Sequence, residues 1–204
     1  DLLTRALEIF EKHYGKDHPQ TSNTLGSLGI AWGSLGDYKK QKDLLTRALE
    51  INEKHYGKDH PSTGATLTNL GNAWGDLGDY EKQKDLLTRA LKIHEKKFGK
   101  DDPVIGDLLF ILGDACGKLG DYEKQKDLLT RALEINEKHY GIDHPQTGFI
   151  LHLLGKTWGE LGDYELQKVL LTQALEIYEK YFGIGHPLTI RVQTILTQLP
   201  EILS

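Results

Sequence analysis

A seven-residue string recurs at a fixed distance along this chain. Asp-Leu-Leu-Thr-Arg-Ala-Leu begins at Asp1, Asp43, Asp85 and Asp127, and Val-Leu-Leu-Thr-Gln-Ala-Leu begins at Val169, so the period is 42 residues. A period of this size is typical of solenoids, in which each repeat is one supersecondary unit that buries its apolar face against its neighbours. The period therefore predicts an elongated array instead of one or two globular domains.

Each repeat has the pattern of two helices. Residues 62–77 carry apolar side chains three or four positions apart, which indicates one buried helical face. Pro61 suits the first helical position, because the amide that proline lacks would be unpaired there in any case. Asp79 is placed to cap a second helix over about residues 80–98, and Gly99 supplies its end. The repeat unit is therefore predicted to be a helical hairpin.

The hairpin resembles the tetratricopeptide repeat in its small and apolar positions. The matching residues of one repeat are Leu67, Leu70-Gly71 and Trp74, followed by residues 78–80 (Gly-Asp-Tyr) and Ala90. The usual period is about 34 residues, and the longer second helix here is similar to that of kinesin light chains, as are the strings Ala-Leu-Glu-Ile and Gly-Lys-Asp-His-Pro. The resemblance implies an all-α fold, a right-handed superhelical solenoid of antiparallel helix hairpins.

The register of the repeat divides the chain into units. We expect one continuous array, made of a half repeat at 1–18, full repeats at 19–60, 61–102, 103–144 and 145–186, and a half repeat at 187–204. The sequence starts inside a repeat and contains no methionine, so we expect a segment of a longer protein. Its two unpaired terminal helices are pattern partners for each other, which predicts head-to-tail association of copies.

A glutamine stands where the family usually has a small alanine that meets a glycine across the hairpin. The four positions are Gln41, Gln83, Gln125 and Gln167. A buried amide without partners costs about 1–3 kcal/mol. We therefore expect each glutamine to find hydrogen-bond partners or to turn outward.

The first helices of the repeats differ from one another mainly along one stripe, whereas the second helices are nearly identical copies. The resemblance implies that this stripe lines a concave groove that contacts ligands. Drift at exposed positions is the alternative interpretation. The candidate contact residues are Asn23, Ile30, Thr68, Asn69, Asn72, Asp107, Phe110, Asp114, Phe149, His152 and Lys156. One variable position of the second helix is placed near the groove edge; it holds Phe10, Asn52, His94, Asn136 and Tyr178.

The sequence pattern gives little support for a metal site or a reactive thiol. Histidine pairs five residues apart, such as His55 and His60, fall at a helix end and before a proline, so we interpret them as loop and capping residues. Cys116 replaces a tryptophan of the packing stripe and is predicted to be a buried small apolar side chain. No phosphate loop, convergent acid pair or triad spacing is present. We expect neither a metal, a cofactor nor catalysis.

The composition of the chain further limits the classes of partner that we expect. The net charge is −5 and no basic stripe is present, which argues against nucleic acid. No apolar run is long enough to span a membrane, and the single cysteine fits a reducing compartment, so we expect an intracellular, cytoplasmic protein. The sequence thus predicts a non-enzymatic interaction scaffold for a peptide or protein segment with apolar anchors and some positive charge. The alternatives are a spacer or self-associating array and the regulatory array of a larger signalling protein.

Overall fold

The computed structural model describes residues 2–199, which form ten α-helices and confirm the all-α expectation. Asp1, the predicted start of the first helix, and residues 200–204 of the last half repeat lie outside the described residues. The helices are α1 Leu2–Tyr14, α2 Pro19–Ser34, α3 Tyr38–Tyr56, α4 Pro61–Asp76, α5 Tyr80–Phe98, α6 Pro103–Lys118, α7 Tyr122–Tyr140, α8 Pro145–Glu160, α9 Tyr164–Phe182 and α10 Pro187–Gln198.

Consecutive helices pack as hairpins in two compact units that meet in sequence between Lys100 and Asp101. In the first unit, α2 pairs with α3 and α4 with α5, while α1 packs on α2 and α3 on α4. In the second unit, α6 pairs with α7 and α8 with α9, while α7 packs on α8 and α9 on α10. The first helices of neighbouring hairpins also touch within each unit, α2 with α4 and α6 with α8. The division into one continuous array stays a prediction.

Histidine caps start the first helices. The Nδ1 atom of His60 accepts a hydrogen bond from the backbone N–H of Ser62 at 3.1 Å, and its ring stacks on Tyr56 of the preceding helix. Asp102 takes the same position before α6 and accepts from the N–H of Val104 at 2.9 Å. Because a capping carboxylate replaces histidine without loss of the helix start, the repeated histidine is confirmed as a structural cap. The other histidine caps are His18, His144 and His186.

The second helices begin and end in the predicted way. The Asp79 carboxylate accepts from the N–H of Lys82 at 3.1 Å, which satisfies one of the amides left unpaired at a helix start. Gly99 ends α5 with φ +91°, a conformation that disfavours any side chain with a Cβ. These local signals define the hairpin before any packing is considered.

A close approach of glycine to leucine holds each hairpin together. A Cβ added to Gly71 of α4 would lie 3.0 Å from Cγ of Leu87 in α5, so the two helices nearly touch at this point. Leu87 is fully buried, as are Leu67 and Ala90 beside it. Removing such side chains from water contributes about 25 cal/mol per Å² of apolar surface. The same contact recurs as Gly29 with Leu45, Gly113 with Leu129 and Gly155 with Leu171.

The glutamine that replaces the family alanine packs one turn further along the first helix. A Cβ on Gly75 would lie 2.5 Å from Nε2 of Gln83, so this second glycine provides the room for the buried amide. The Oε1 atoms of Gln41, Gln83 and Gln167 are buried and accept no hydrogen bond. The expectation that each glutamine finds partners or turns outward is therefore wrong for these three. The glutamine side chains occupy the space left by a glycine of the facing helix, and the sequence pattern alone does not reveal that space.

The glycine and the glutamine of a hairpin should be energetically coupled. We expect Gly75→Ala to be at least about 1 kcal/mol more favourable in a Gln83→Ala background than in the wild type, because the added methyl group collides with the Gln83 amide in the wild type and fills the space of the lost amide in the variant. Urea unfolding of the two single variants and the double variant measures the coupling. Additivity within about 0.5 kcal/mol would contradict the packing described.

Candidate functional site

The predicted contact residues of the first unit lie on α2 and α4. Asn23 and Ile30 are exposed, and Ile30 keeps 48% of its surface accessible to solvent. Thr68, Asn69 and Asn72 are half-buried. The Thr68 hydroxyl donates to the Gly64 carbonyl of its own helix at 3.1 Å. Asn23 and Ile30 are therefore the members of this set that are most accessible to a partner.

In the second unit, a cleft of about 210 Å³ lies between α6 and α8. It brings together Asp114 and Lys156, both predicted from sequence, and Leu153 of α8 also lines it. Asp114 pairs with Lys118 at 2.8 Å, so its carboxylate is already partly neutralised. Other residues that the sequence prediction did not include also line this α6–α8 cleft, namely Gly117, Lys118, Tyr122, Gln125, Thr157 and Glu160. The cleft combines both signs of charge with apolar and aromatic surface.

Phe149 and His152, two of the predicted groove residues, pack against side chains of the neighbouring second helix. The Phe149 ring lies 5.6 Å from the Tyr178 ring and 6.2 Å from that of Phe182, measured between centroids. His152 Nδ1 lies 3.4 Å from the hydroxyl of Tyr178. Both side chains are half-buried, and Phe149 packs against the apolar cluster that α9 forms with α10. Asp107 is exposed, and Phe110 is half-buried.

The variable position of the second helix is buried, so its placement near the groove edge was wrong for four of its members. Asn52, His94, Asn136 and Tyr178 are at most 6% exposed. Each faces a small residue of the first helix in its own hairpin. Those residues are Ser22 opposite Asn52, Gly64 opposite His94, Gly106 opposite Asn136 and Gly148 opposite Tyr178.

Size complementarity explains this buried pairing. Ser22 Oγ donates to Asn52 Oδ1 at 2.8 Å, whereas a Cβ on Gly148 would lie 3.0 Å from the Tyr178 ring. The sequence signal for this contact was a small residue, serine or glycine, thirty positions before each of these buried side chains. Apolar periodicity alone could not detect it, because asparagine and histidine are usually exposed.

Burial shifts the pKa values of His152 and Tyr178. Burial, followed by the charges of Lys156 and Arg191, lowers the pKa of His152 to about 4. Burial also raises the pKa of Tyr178 above its ordinary value. His152 is therefore neutral at physiological pH. Its buried Nε2 has no hydrogen-bond partner.

Profiles described as tetratricopeptide repeat match residues 1–54, 34–96, 106–139 and 150–188. The chain belongs to the tetratricopeptide repeat family. Domains of this family generally bind proteins, and none of the matching profiles indicates an enzyme family. Comparison with curated proteins gave no significant match. No helix within residues 2–199 is long and apolar enough to cross a membrane.

Solved structures show the same fold at low sequence identity. A kinesin light chain-like protein of Podosopora anserina with nearly identical TPR-like repeats is 22% identical, with a TM-score of 0.76 over 89% of this chain and 86% of that one. BtubC (BKLC) from P. vanneervenii is 20% identical, with a TM-score of 0.80 over 91% and 74%. The apo form of RapI is 15% identical, with a TM-score of 0.76 over 95% and 74%. The resemblance to kinesin light chain-type repeats is thus confirmed for the fold.

His152 should make stability fall in acid. The pKa of His152 in the folded protein, about 4, lies below the ordinary 6.5. Between these two pH values the histidine of the unfolded chain binds a proton, whereas that of the folded protein does not. The contribution of the neutral imidazole to stability is therefore complete above pH 6.5 and is lost as the pH falls toward about 4. We expect His152→Phe, which copies Phe110 of α6, to reduce this loss by about 2 kcal/mol. Urea unfolding at neutral pH and near the lower pKa measures the difference.

His94 provides the comparison, because burial lowers its pKa as well. His94→Asn, which copies Asn52, should flatten the acid dependence independently of the change at His152. Unchanged pH dependence in His152→Phe would contradict the assignment of a buried neutral imidazole.

Proposed function

We propose that the chain is a non-enzymatic scaffold that binds a peptide or partner segment, without a cofactor, on the variable face of its first helices. The observation that carries the proposal is the α6–α8 cleft, which places Asp114, Lys156 and Leu153 around one open space. Charged groups of both signs next to apolar surface can orient an extended segment and also anchor it. Family membership supports the same class of function.

Variation between the repeats also supports this placement. The position of Lys156 in α8 is Asp114 in α6, Asn72 in α4 and Ile30 in α2, so one packing frame presents four different chemistries. The buried frame beneath it, such as Leu112 and Leu154, hardly changes. A binding surface on a constant scaffold has this distribution of variable positions.

The contribution of Lys156 can be tested with its counterpart from another repeat. Short random peptides selected on the immobilised chain should bind Lys156→Asn about fivefold more weakly, since the cleft loses a cation and gains the neutral side chain found at Asn72. Fluorescence anisotropy measures the affinity. Lys168→Asn in α9 makes the same change of net charge at an exposed position outside the cleft, so it is the matched control and should leave binding unchanged. If only the control variant changes the affinity for the peptides, the binding site lies outside the α6–α8 cleft.

A self-associating array is the second candidate, supported by the apolar face of α1. None of the residues of α1 is buried, and Leu2 and Ile9 are 80% and 54% exposed. Such a face gains stability when it is covered by another helix. We expect the sedimentation coefficient to rise between micromolar and millimolar concentration, and Ile9→Lys to reduce the rise, with exposed Lys12→Glu as control. A constant monomer coefficient would exclude this candidate.

A further inference from the structure

Two equivalent clefts on the second-helix side of the hairpins carry opposite charge. The basic cleft, of about 330 Å³, lies in the first unit between α5 and the loop before α4, and its lining is Lys58, Asp59, Arg89, Lys92, Ile93 and Lys96. The acidic cleft, of about 410 Å³, lies in the second unit at the same position of the repeat. Its charged and polar lining consists of Glu137, Asp143, Gln173, Glu176 and Lys180. Both clefts are formed by the same backbone elements of the repeat, so their difference in charge comes from the side chains.

A repeated ion pair normally neutralises this cleft. Lys54 of α3 lies 2.8 Å from Asp17 in the loop before α2, and Lys180 of α9 lies 2.8 Å from Asp143. Lys138 and Asp101 form the same pair at 3.1 Å. At the equivalent place in the basic cleft, Lys96 and Asp59 form no ion pair among residues 2–199. The ammonium group of Lys96 is therefore available to a ligand.

A charge reversal at one position adds to this difference. Lys92 of α5 stands where the other complete second helices have glutamate, Glu50, Glu134 and Glu176. Lys58, Lys92 and Lys96 are all exposed, and Ile93 is buried beneath them. Arg89 is already paired with Glu53 at 2.7 Å, so the three lysines exceed the single remaining carboxylate of the lining, Asp59, and the cleft has a net positive charge.

We propose that the basic cleft binds an extended acidic segment of a partner protein. Lys92 and Lys96 lie one helical turn apart, about 6 Å along the axis of α5. Side chains on one side of an extended peptide repeat about every 6.5–7 Å, so alternate Asp or Glu residues match this spacing. Lys58, in the loop opposite, closes the other wall of the cleft. A small spherical anion cannot contact the whole row at once.

The basic cleft is distinct from the variable face of the first helices. Its lining comes from α5 and the loop before α4, whereas Thr68, Asn69 and Asn72 lie along α4 itself. The two surfaces also differ in the chemistry they select. The basic cleft selects carboxylates, and its attraction falls with salt because exposed charges are screened within about 10 Å at 0.1 M ionic strength.

The binding test uses a fluorescein-labelled peptide of the sequence Gly-Glu-Thr-Glu-Thr-Glu-Gly, with glutamine in place of glutamate as its uncharged partner. Anisotropy should show saturable binding of the glutamate peptide at low salt and at least about tenfold weaker binding near 0.3 M salt. Lys92→Glu should weaken binding by about tenfold, because it replaces attraction to the carboxylates by repulsion. The fold accepts glutamate at this position in α3, α7 and α9.

Lys39→Glu is the matched control, since it makes the same change of net charge in the same unit. Lys39 is exposed at the start of α3, and the equivalent residues of the next helices are Glu81, Glu123 and Glu165. It should leave the affinity within about twofold of the wild type. Equal weakening by both variants would overturn the proposal in favour of net charge alone.

Inorganic phosphate serves as the competing small anion. At an ionic strength matched with chloride, it should displace the peptide no better than chloride does. Displacement by phosphate at concentrations near the peptide dissociation constant would overturn the acidic-segment proposal and indicate a simple anion site. No binding of the glutamate peptide at low salt, or equal binding of the glutamine peptide, would also overturn it.

Discussion

The close contact between a glycine of the first helix and a leucine of the second sets the geometry of every hairpin. Gly71 lets Leu87 approach α4 directly, and Gly75 one turn later receives the buried amide of Gln83. Because both contacts depend on a missing Cβ, the second helix has little freedom to change at the facing positions. The constancy of the leucine and the glutamine at these two positions therefore has a packing reason.

The period and the helix ends of this chain could be read from its sequence. Capping residues such as His60 and Asp79 act within a few residues of themselves, so local chemistry is sufficient to predict them. The environment of His152 could not be predicted in this way. Its burial depends on Tyr178 in another helix, and that tyrosine depends in turn on the space left by Gly148. Tertiary contacts of this kind have no periodic signal.

The candidate sites could likewise be predicted only in part from the sequence. Asp114 and Lys156 were found because exposed variation on one helical face is visible in aligned repeats. The basic cleft was missed, because the significance of Lys92 depends on an ion pair that Lys96 and Asp59 do not form. Exposed ion pairs of this type contribute little to stability, about 0–1 kcal/mol. Repeats can therefore lose or reverse them while the hairpin remains intact, and the charge of the cleft can change independently of the fold.

The buried pairs of small and large residues bear on how nearly identical helices find their correct partners. Tyr178 fits against Gly148, whereas the same position of α2 holds Ser22, whose hydroxyl is matched to Asn52. A tyrosine-bearing second helix set against that serine would meet a Cβ and a hydroxyl where it needs empty space. Repeat proteins are prone to misassembly between similar segments. The serine of α2 thus disfavours exchange of its partner helix for the tyrosine-bearing α9, whereas the glycine shared by the other three hairpins leaves their pairing without this distinction.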